Sequence, residues 1–125
     1  MNNLEIVELI KEIKIKNFIG VFIRDEIPLN LSDNFYFIYN YQTSKEHGEH
    51  WAVFIRKNKK NYHSSSFGDD PCKEITDQYK NIMTSTFRFQ GYFEKSCGLF
   101  CVLLIYLIEN GNSFEDSVLS MLHYN

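Results

Sequence analysis

The 125-residue sequence has only two prolines, six glycines and three cysteines, and each shortage excludes a class of protein. Few prolines and glycines beside 44% hydrophobic residues exclude a disordered or low-complexity chain. The odd number of cysteines excludes a complete set of disulfides within one chain, which favours a reducing, intracellular setting. A net charge of −3 excludes the strongly basic surface that is typical of proteins that bind nucleic-acid phosphates.

Long hydrophobic segments are also missing. The longest apolar run, residues 99–108, has about half of the ~20 residues that a membrane span needs. The N-terminal residues lack the basic and then apolar order of a secretion signal. The length suits one domain with a sizeable core. The sequence therefore predicts a single soluble, intracellular domain over residues 1–125, with no membrane partner.

Aromatic residues, in contrast, are abundant, with 11 Phe, 8 Tyr and 1 Trp. Many of them lie in segments rich in aromatic and β-branched residues, which favour strands. These segments predict four strands, over residues 34–41, 50–56, 62–67 and 84–89, with a hairpin turn at 58–61. Residues 18–23 are interpreted as an apolar segment that leads into a charged loop.

Helices are predicted over residues 4–13, 71–80, 98–108 and 113–122. The third is apolar at almost every position, so we expect it to be buried on all sides. Ser113 is the expected N-cap of the last helix, with Asp116 in the second position of a capping box. This order predicts an α+β domain, in which a mainly antiparallel sheet packs around a central buried helix.

Cys97, immediately before the central helix, is the most informative residue for chemistry. Backbone N–H groups and the positive end of the helix dipole favour a thiolate there, and the thiolate is the nucleophilic form. Gly98 has no side chain and would let a substrate backbone approach closely. Simple packing is the alternative for Cys97, and it is the better explanation of Cys101, which has apolar neighbours. Cys72 has no obvious partner.

A nucleophilic cysteine needs a base, which is most often a histidine. His50 starts a predicted strand, so its ring can project from the end of a rigid sheet. His47 lies in a polar loop, His63 inside a strand and His123 near the C-terminus. Gln90 ends the fourth predicted strand, where its amide can donate to an oxyanion together with the backbone N–H of the cysteine. A structural histidine and an ordinary turn glutamine are the alternatives.

In this arrangement the sequence resembles the adenain family of viral maturation proteases. Gln90, followed at an interval of seven residues by the Cys-Gly-Leu-Phe-Cys run of 97–101, is similar to that family's segment from glutamine to nucleophile. The Gly-Glu-His-Trp run of 48–51 is similar to its His-Trp strand start, and residues 18–22 resemble its N-terminal loop. The similarity extends from about residue 18 to residue 107. SUMO-specific proteases belong to the same clan.

The resemblance implies a cysteine endopeptidase that cleaves viral or virus-like capsid or core precursor proteins, in a virion or at its assembly site. Cys97 would attack the scissile carbonyl, His50 would transfer protons, and Gln90 would help to hold the oxyanion. The residues that would border the substrate are Gly48, Glu49, Trp51 and Gly98. The sequence itself requires no cofactor. The resemblance adds an activating peptide and viral DNA as candidate cofactors, although the charge of −3 predicts weak or no binding of nucleic acid.

Ser65 is a departure from the family's pattern. The family places Asp or Glu two residues before a Phe-Gly pair to orient the histidine, and here that place is a serine. A serine can accept a hydrogen bond from the imidazole, but it cannot stabilise an imidazolium electrostatically. Ser65 is the expected partner of His50, and Asp69 and Asp70 are alternatives that require the strand end to bend back.

Two other functions stay open at this point. The serine in the acid's place favours a degenerate protease domain that acts as a binding or scaffold module. Trp51 fits equally a SUMO- or ubiquitin-like isopeptidase, which threads a Gly-Gly tail past a tryptophan. No Cys or His pair has zinc-finger spacing, so we predict no metal site.

Overall fold

The computed structural model describes residues 1–29, 32–42, 50–89 and 96–123. These residues form four α-helices, one short 3-10 helix and five strands. In sequence order the elements are α1 (Asn3–Glu12), β1 (Phe18–Ile23), a 3-10 helix (Arg24–Glu26), β2 (Phe35–Asn40), β3 (Trp51–Lys57), β4 (Lys60–Ser65), α2 (Lys73–Thr76), β5 (Ile82–Thr84), α3 (Cys97–Glu109) and α4 (Phe114–His123).

The strands form one sheet in the order β1-β2-β3-β4-β5. Strands β2, β3 and β4 are antiparallel, and the outer strands β1 and β5 run parallel to their neighbours. The β3–β4 hairpin turns through Asn58 and Lys59, whose φ angles of 53° and 66° are those of a two-residue type I′ turn. The predicted α+β class is confirmed.

The sheet separates two hydrophobic clusters, because successive strand residues point to opposite faces. On one face Ile38 and Val53 pack with residues of α1, α3 and α4. On the other face Phe37 and Phe54 pack with Ile75 of α2. Helix α3 therefore lies between the sheet and two other helices, but it is not buried on all sides as predicted, since Tyr106 is 42% exposed. Within the described part of the chain, no helix has the length and hydrophobicity that crossing a bilayer demands.

Three segments differ from the sequence prediction. Residues 18–23, interpreted as an approach to a loop, form the parallel strand β1. The predicted strand at 84–89 shares only Thr84 with the short strand β5, because the chain beyond it crosses the turn after β4. A Cβ on Gly68 would lie 2.7 Å from the carbonyl oxygen of Thr86. Within the predicted helix at 71–80, α2 is a single turn that begins after Cys72.

Candidate active site

Cys97 is the first residue of α3 and is 8% exposed. Its Sγ accepts a hydrogen bond from the backbone N–H of Trp51 at 3.4 Å. Because Trp51 directly follows His50, the sulfur lies beside the peptide unit that joins these two residues. The backbone N–H groups of the first turn of α3 also place the positive end of the helix dipole at the thiol. The structure thus brings the candidate nucleophile and the candidate base to the same end of the sheet.

The imidazole of His50 is fixed from three directions. Its Nε2 lies 2.5 Å from Asp69 Oδ2. The ring of Phe67 packs against it with a centroid distance of 4.4 Å, and Tyr41 approaches edge-on at 5.6 Å. Since Nε2 is used by the carboxylate, Nδ1 is the ring nitrogen that remains to exchange a proton with the thiol.

The residue that contacts the imidazole of His50 is Asp69, whereas the sequence favoured Ser65. Gly68, with a φ of +72°, turns the chain after β4 and returns Asp69 to the histidine. Ser65 Oγ donates to Asp69 Oδ2 at 2.9 Å and accepts from the Asp69 backbone N–H at 3.1 Å. The serine therefore orients the carboxylate, and the carboxylate contacts the imidazole. Asp70, the other alternative, is exposed.

The electrostatics of the site favour a charged Asp69. The hydrogen bond from His50 lowers the pKa of Asp69, the hydrogen bond from Ser65 lowers it further, and partial burial opposes both. A carboxylate that remains ionised can stabilise the imidazolium that forms when His50 takes a proton from the thiol. The arrangement thus supplies the negative charge that a serine alone lacks.

The other buried thiols and the buried histidine cannot take part in this chemistry. Cys101 is 0% exposed, and burial raises the pKa of its thiol well above the ordinary value, which confirms it as a core residue. Cys72 is 2% exposed, and burial raises its pKa as well. His63 contacts Tyr39 Oη through Nε2 at 2.7 Å, and burial lowers the pKa of His63 to about 3. Neutral, buried groups of this kind serve neither as nucleophile nor as base.

Trp51 and Gly98 lie against the N-terminal end of α1. The Nε1 of Trp51 donates to the carbonyl oxygen of Met1 at 2.9 Å. A Cβ on Gly98 would lie 3.2 Å from Trp51 Cδ1, and 3.3 Å from both Ile6 Cδ1 and Met1 Cβ. Gly98 therefore permits close packing of the protein's own side chains, whereas the sequence suggested that it makes room for a substrate.

Because of this packing, Gly98→Ala is expected to change the free energy of unfolding by less than about 1 kcal/mol, since crowding by Trp51, Ile6 and Met1 offsets the better helix propensity of alanine. Urea denaturation followed by circular dichroism measures the change. A variant stabilised by the full ~1 kcal/mol of helix propensity would mean that the glycine is not needed for packing.

A groove of about 460 Å³ adjoins the site. It borders the candidate catalytic residues, because two of its lining residues contact them. The backbone N–H of Trp51 donates to Cys97 Sγ at 3.4 Å, and Asn40 Oδ1 accepts from the backbone N–H of His50 at 3.4 Å. The groove is lined by Asn3, Val21, Phe22, Ile23, Glu26, Asn40 and Trp51.

Gln90, Gly48 and Glu49 lie outside the described residues, so their roles at the oxyanion and the substrate stay predictions. The residue before Gln90 is described. The backbone N–H of Phe89 donates to the Ser66 carbonyl oxygen at 2.7 Å, and its ring packs on Phe100 of α3 at 4.7 Å. Phe89, the residue directly before Gln90, is therefore held both to the turn that follows β4 and to α3.

Sequence reasoning named Asp69 only as an alternative, and it missed Phe67 and Tyr41. A signal for Asp69 was present, because Gly68 directly before it can adopt the positive φ that reverses a strand end. No local signal marks Tyr41, since its contact with His50 depends on how β2 and β3 are paired.

Comparison with known proteins supports the fold. No family model and no curated protein matches the sequence. Among solved structures, the chain is similar to the crystal structure of the ASFV pS273R protease, with a TM-score of 0.51 and 15% sequence identity. The match covers 71% of this chain and 39% of that one, so the chain spans less than half the length of that protease. At this identity the likeness shows a shared fold.

Proposed function

We propose that the protein is a cysteine peptidase, in which Cys97 is the nucleophile and His50 is the base. Asp69 orients the imidazole of His50 and stabilises its protonated form. The observation that carries the proposal is the set of contacts at one end of the sheet. Asp69 binds His50 Nε2, and the peptide that follows His50 binds Cys97 Sγ. A fold similar to that of a solved viral protease supports the same conclusion.

The proposed reaction has two stages. The Cys97 thiolate attacks the peptide carbonyl carbon, and the His50 imidazolium then protonates the leaving amine, which leaves a thioester on the sulfur. In the second stage His50 removes a proton from water, the resulting hydroxide attacks the thioester, and the thiolate is released. The backbone N–H of Cys97 and the side chain of Gln90 are the proposed donors to the oxyanion in both stages.

The resemblance to the adenain family favours a protein substrate, specifically a capsid or core precursor, and a virion or its assembly site as the setting. An activating peptide is compatible with this proposal. The net charge of −3 gives nucleic acid little general attraction. Cleavage of precursor proteins therefore tests whether the protein is a viral or virus-like maturation protease.

Cleavage of candidate capsid and core precursors, before and after treatment of the folded protein with iodoacetamide, tests the proposal. Cys97 is 8% exposed, against 2% for Cys72 and 0% for Cys101, so alkylation should modify Cys97 first. Peptide mapping by mass spectrometry identifies the modified residue. Cleavage that stops when Cys97 is modified supports the proposal. Cleavage that continues with Cys97 fully alkylated, or no cleavage by the untreated protein, contradicts it.

A binding or scaffold module without catalysis is the second candidate, because the acid at His50 comes from beyond the Phe-Gly pair and not from the family's position. Activation of the thiol distinguishes the two. In a working peptidase, His50→Ala is expected to slow alkylation of Cys97 about tenfold or more near pH 6, since the thiolate loses its cationic partner. His123→Ala, at an exposed histidine in the last turn of α4, is the matched control. Equal alkylation rates in all three proteins would favour the scaffold.

The isopeptidase alternative differs only in the substrate. The indole of Trp51 lies against Gly98, directly after Cys97, which suits a tail threaded past an indole as well as it suits an ordinary peptide. A ubiquitin- or SUMO-based activity probe that labels Cys97 would favour the isopeptidase. Labelling by neither probe, together with precursor cleavage, would favour the maturation protease.

A further inference from the structure

Among the described residues that line the groove beside Trp51, Glu26 is the only charged one. The remaining lining residues are apolar or carry neutral amides. Glu26 lies in the 3-10 helix after β1 and is exposed. Within the described ranges of the chain, no basic residue forms an ion pair with it. The groove therefore presents a negative charge near the apolar side chains of Val21 and Ile23, which alternate with Phe22 on β1 and so share one face.

The nearest cation in the sequence is engaged elsewhere. Arg24 Nε lies 2.7 Å from Glu74 Oε1, and its guanidinium lies over the ring of Tyr41 at 5.3 Å. These two contacts direct Arg24 toward α2 and away from the groove. The hydrogen bond to Glu74 also raises the pKa of Arg24, so this cation is held by its partner. Among the described residues the charge of Glu26 therefore has no basic partner and is open to a ligand in the groove.

The position of the groove indicates which ligand that is. One of its walls contains Trp51, whose N–H contacts Cys97 Sγ, and Asn40, which binds the backbone N–H of His50. A polypeptide whose carbonyl reaches the thiol would lie near this groove, since Trp51 and Asn40 line the groove and also contact the candidate catalytic residues. Val21 and Ile23 can pack against an aliphatic side chain, and Glu26 can bind a cation at its tip. Lysine and arginine combine these two features, since the stem packs on apolar surface while the charged head reaches a carboxylate.

We propose that the groove selects substrates that carry a lysine or arginine, at one fixed position from the cleaved bond, which pairs with the Glu26 carboxylate. This inference rests on the proposed peptidase function and adds a substrate class to it. The ion pair is partly exposed, so its effect on selection is modest. An enrichment of about two- to fivefold corresponds to the usual strength of such a pair.

A peptide library made by chymotrypsin digestion of a proteome tests the proposal, because that digestion leaves Lys and Arg inside the peptides. Mass spectrometry of the products gives the residue frequencies at each position around the bonds that are cut. The wild-type protein is expected to enrich basic residues at one position. Glu26→Gln should remove the enrichment, and Glu26→Lys should replace it with a preference for Asp or Glu. Glu8→Gln, at an exposed carboxylate of α1 that does not line the groove, should leave the preference unchanged.

The outcomes separate this inference from the function on which it rests. Cleavage without a preference for basic residues, or with the same preference in Glu26→Gln, overturns the inference and leaves the peptidase proposal standing. A library that the wild-type protein does not cut overturns both. A preference that weakens as salt is raised from about 0.05 to 0.5 M supports an ion pair, since screening acts strongly on exposed charges.

Discussion

Cys97→Ala is expected to abolish peptide cleavage, with a fall in rate on the order of 10⁴-fold or more. The sulfur lies at the first turn of α3 and accepts the N–H of Trp51, so an alanine leaves the geometry intact and removes only the atom that forms the thioester. Discontinuous assay of precursor cleavage over several hours gives the rate, and circular dichroism verifies that the variant is folded.

Cys101→Ala is the matched control for this result. It removes a sulfur from the same helix, one turn further along and completely buried. We expect cleavage per folded molecule to be retained, although the small cavity lowers stability by about 1 kcal/mol. Residual cleavage by Cys97→Ala within tenfold of the wild type would place the nucleophile elsewhere in the chain.

Asp69→Asn is expected to lower the cleavage rate by about 10²- to 10⁴-fold, with little effect on the fold. The amide can still contact His50 Nε2 and Ser65 Oγ, but it has no charge to stabilise the imidazolium. A merely structural role for Asp69 would leave the cleavage rate per folded molecule unchanged.

Ser65→Ala tests whether Ser65 acts on His50 directly or only through its hydrogen bonds to Asp69. It removes the hydrogen bonds to Asp69 and leaves the carboxylate at His50, so a loss of about three- to thirtyfold is expected. If Ser65→Ala were as damaging as Asp69→Asn, the serine would act directly on the imidazole. If Asp69→Asn had no effect, the contact between Asp69 and His50 would have no catalytic meaning.

The central helix could be predicted closely because its signal is local. Residues 98–108 are apolar on every side, and α3 extends one residue further at each end. Strands β2, β3 and β4 likewise lie within about two residues of their predicted positions, since each is a compact run of aromatic and β-branched residues. These elements carry Cys97 and His50, so the positions of both residues follow from the sequence.

The rest depends on contacts between distant segments. Strand β1 was missed because its parallel pairing with β2 is non-local and its register shifts at Gly20, whose φ is 144°. The position of Asp69 depends on the turn at Gly68, which is packed against the carbonyl oxygens of Thr86 and Phe87. The family's pattern expects the acid two residues before the Phe-Gly pair, at position 65. It therefore does not identify Asp69, which directly follows that pair.

The hydrogen bond between the Trp51 indole and the Met1 carbonyl has a practical consequence for anyone who purifies this protein. Any affinity tag or cloning remnant added in front of Met1 would begin beside that indole, at the edge of the groove that also contains Asn3. Such an extension could occupy the groove as a tethered competitor at high effective concentration. A removable tag at the opposite terminus is therefore the safer design for every assay of activity.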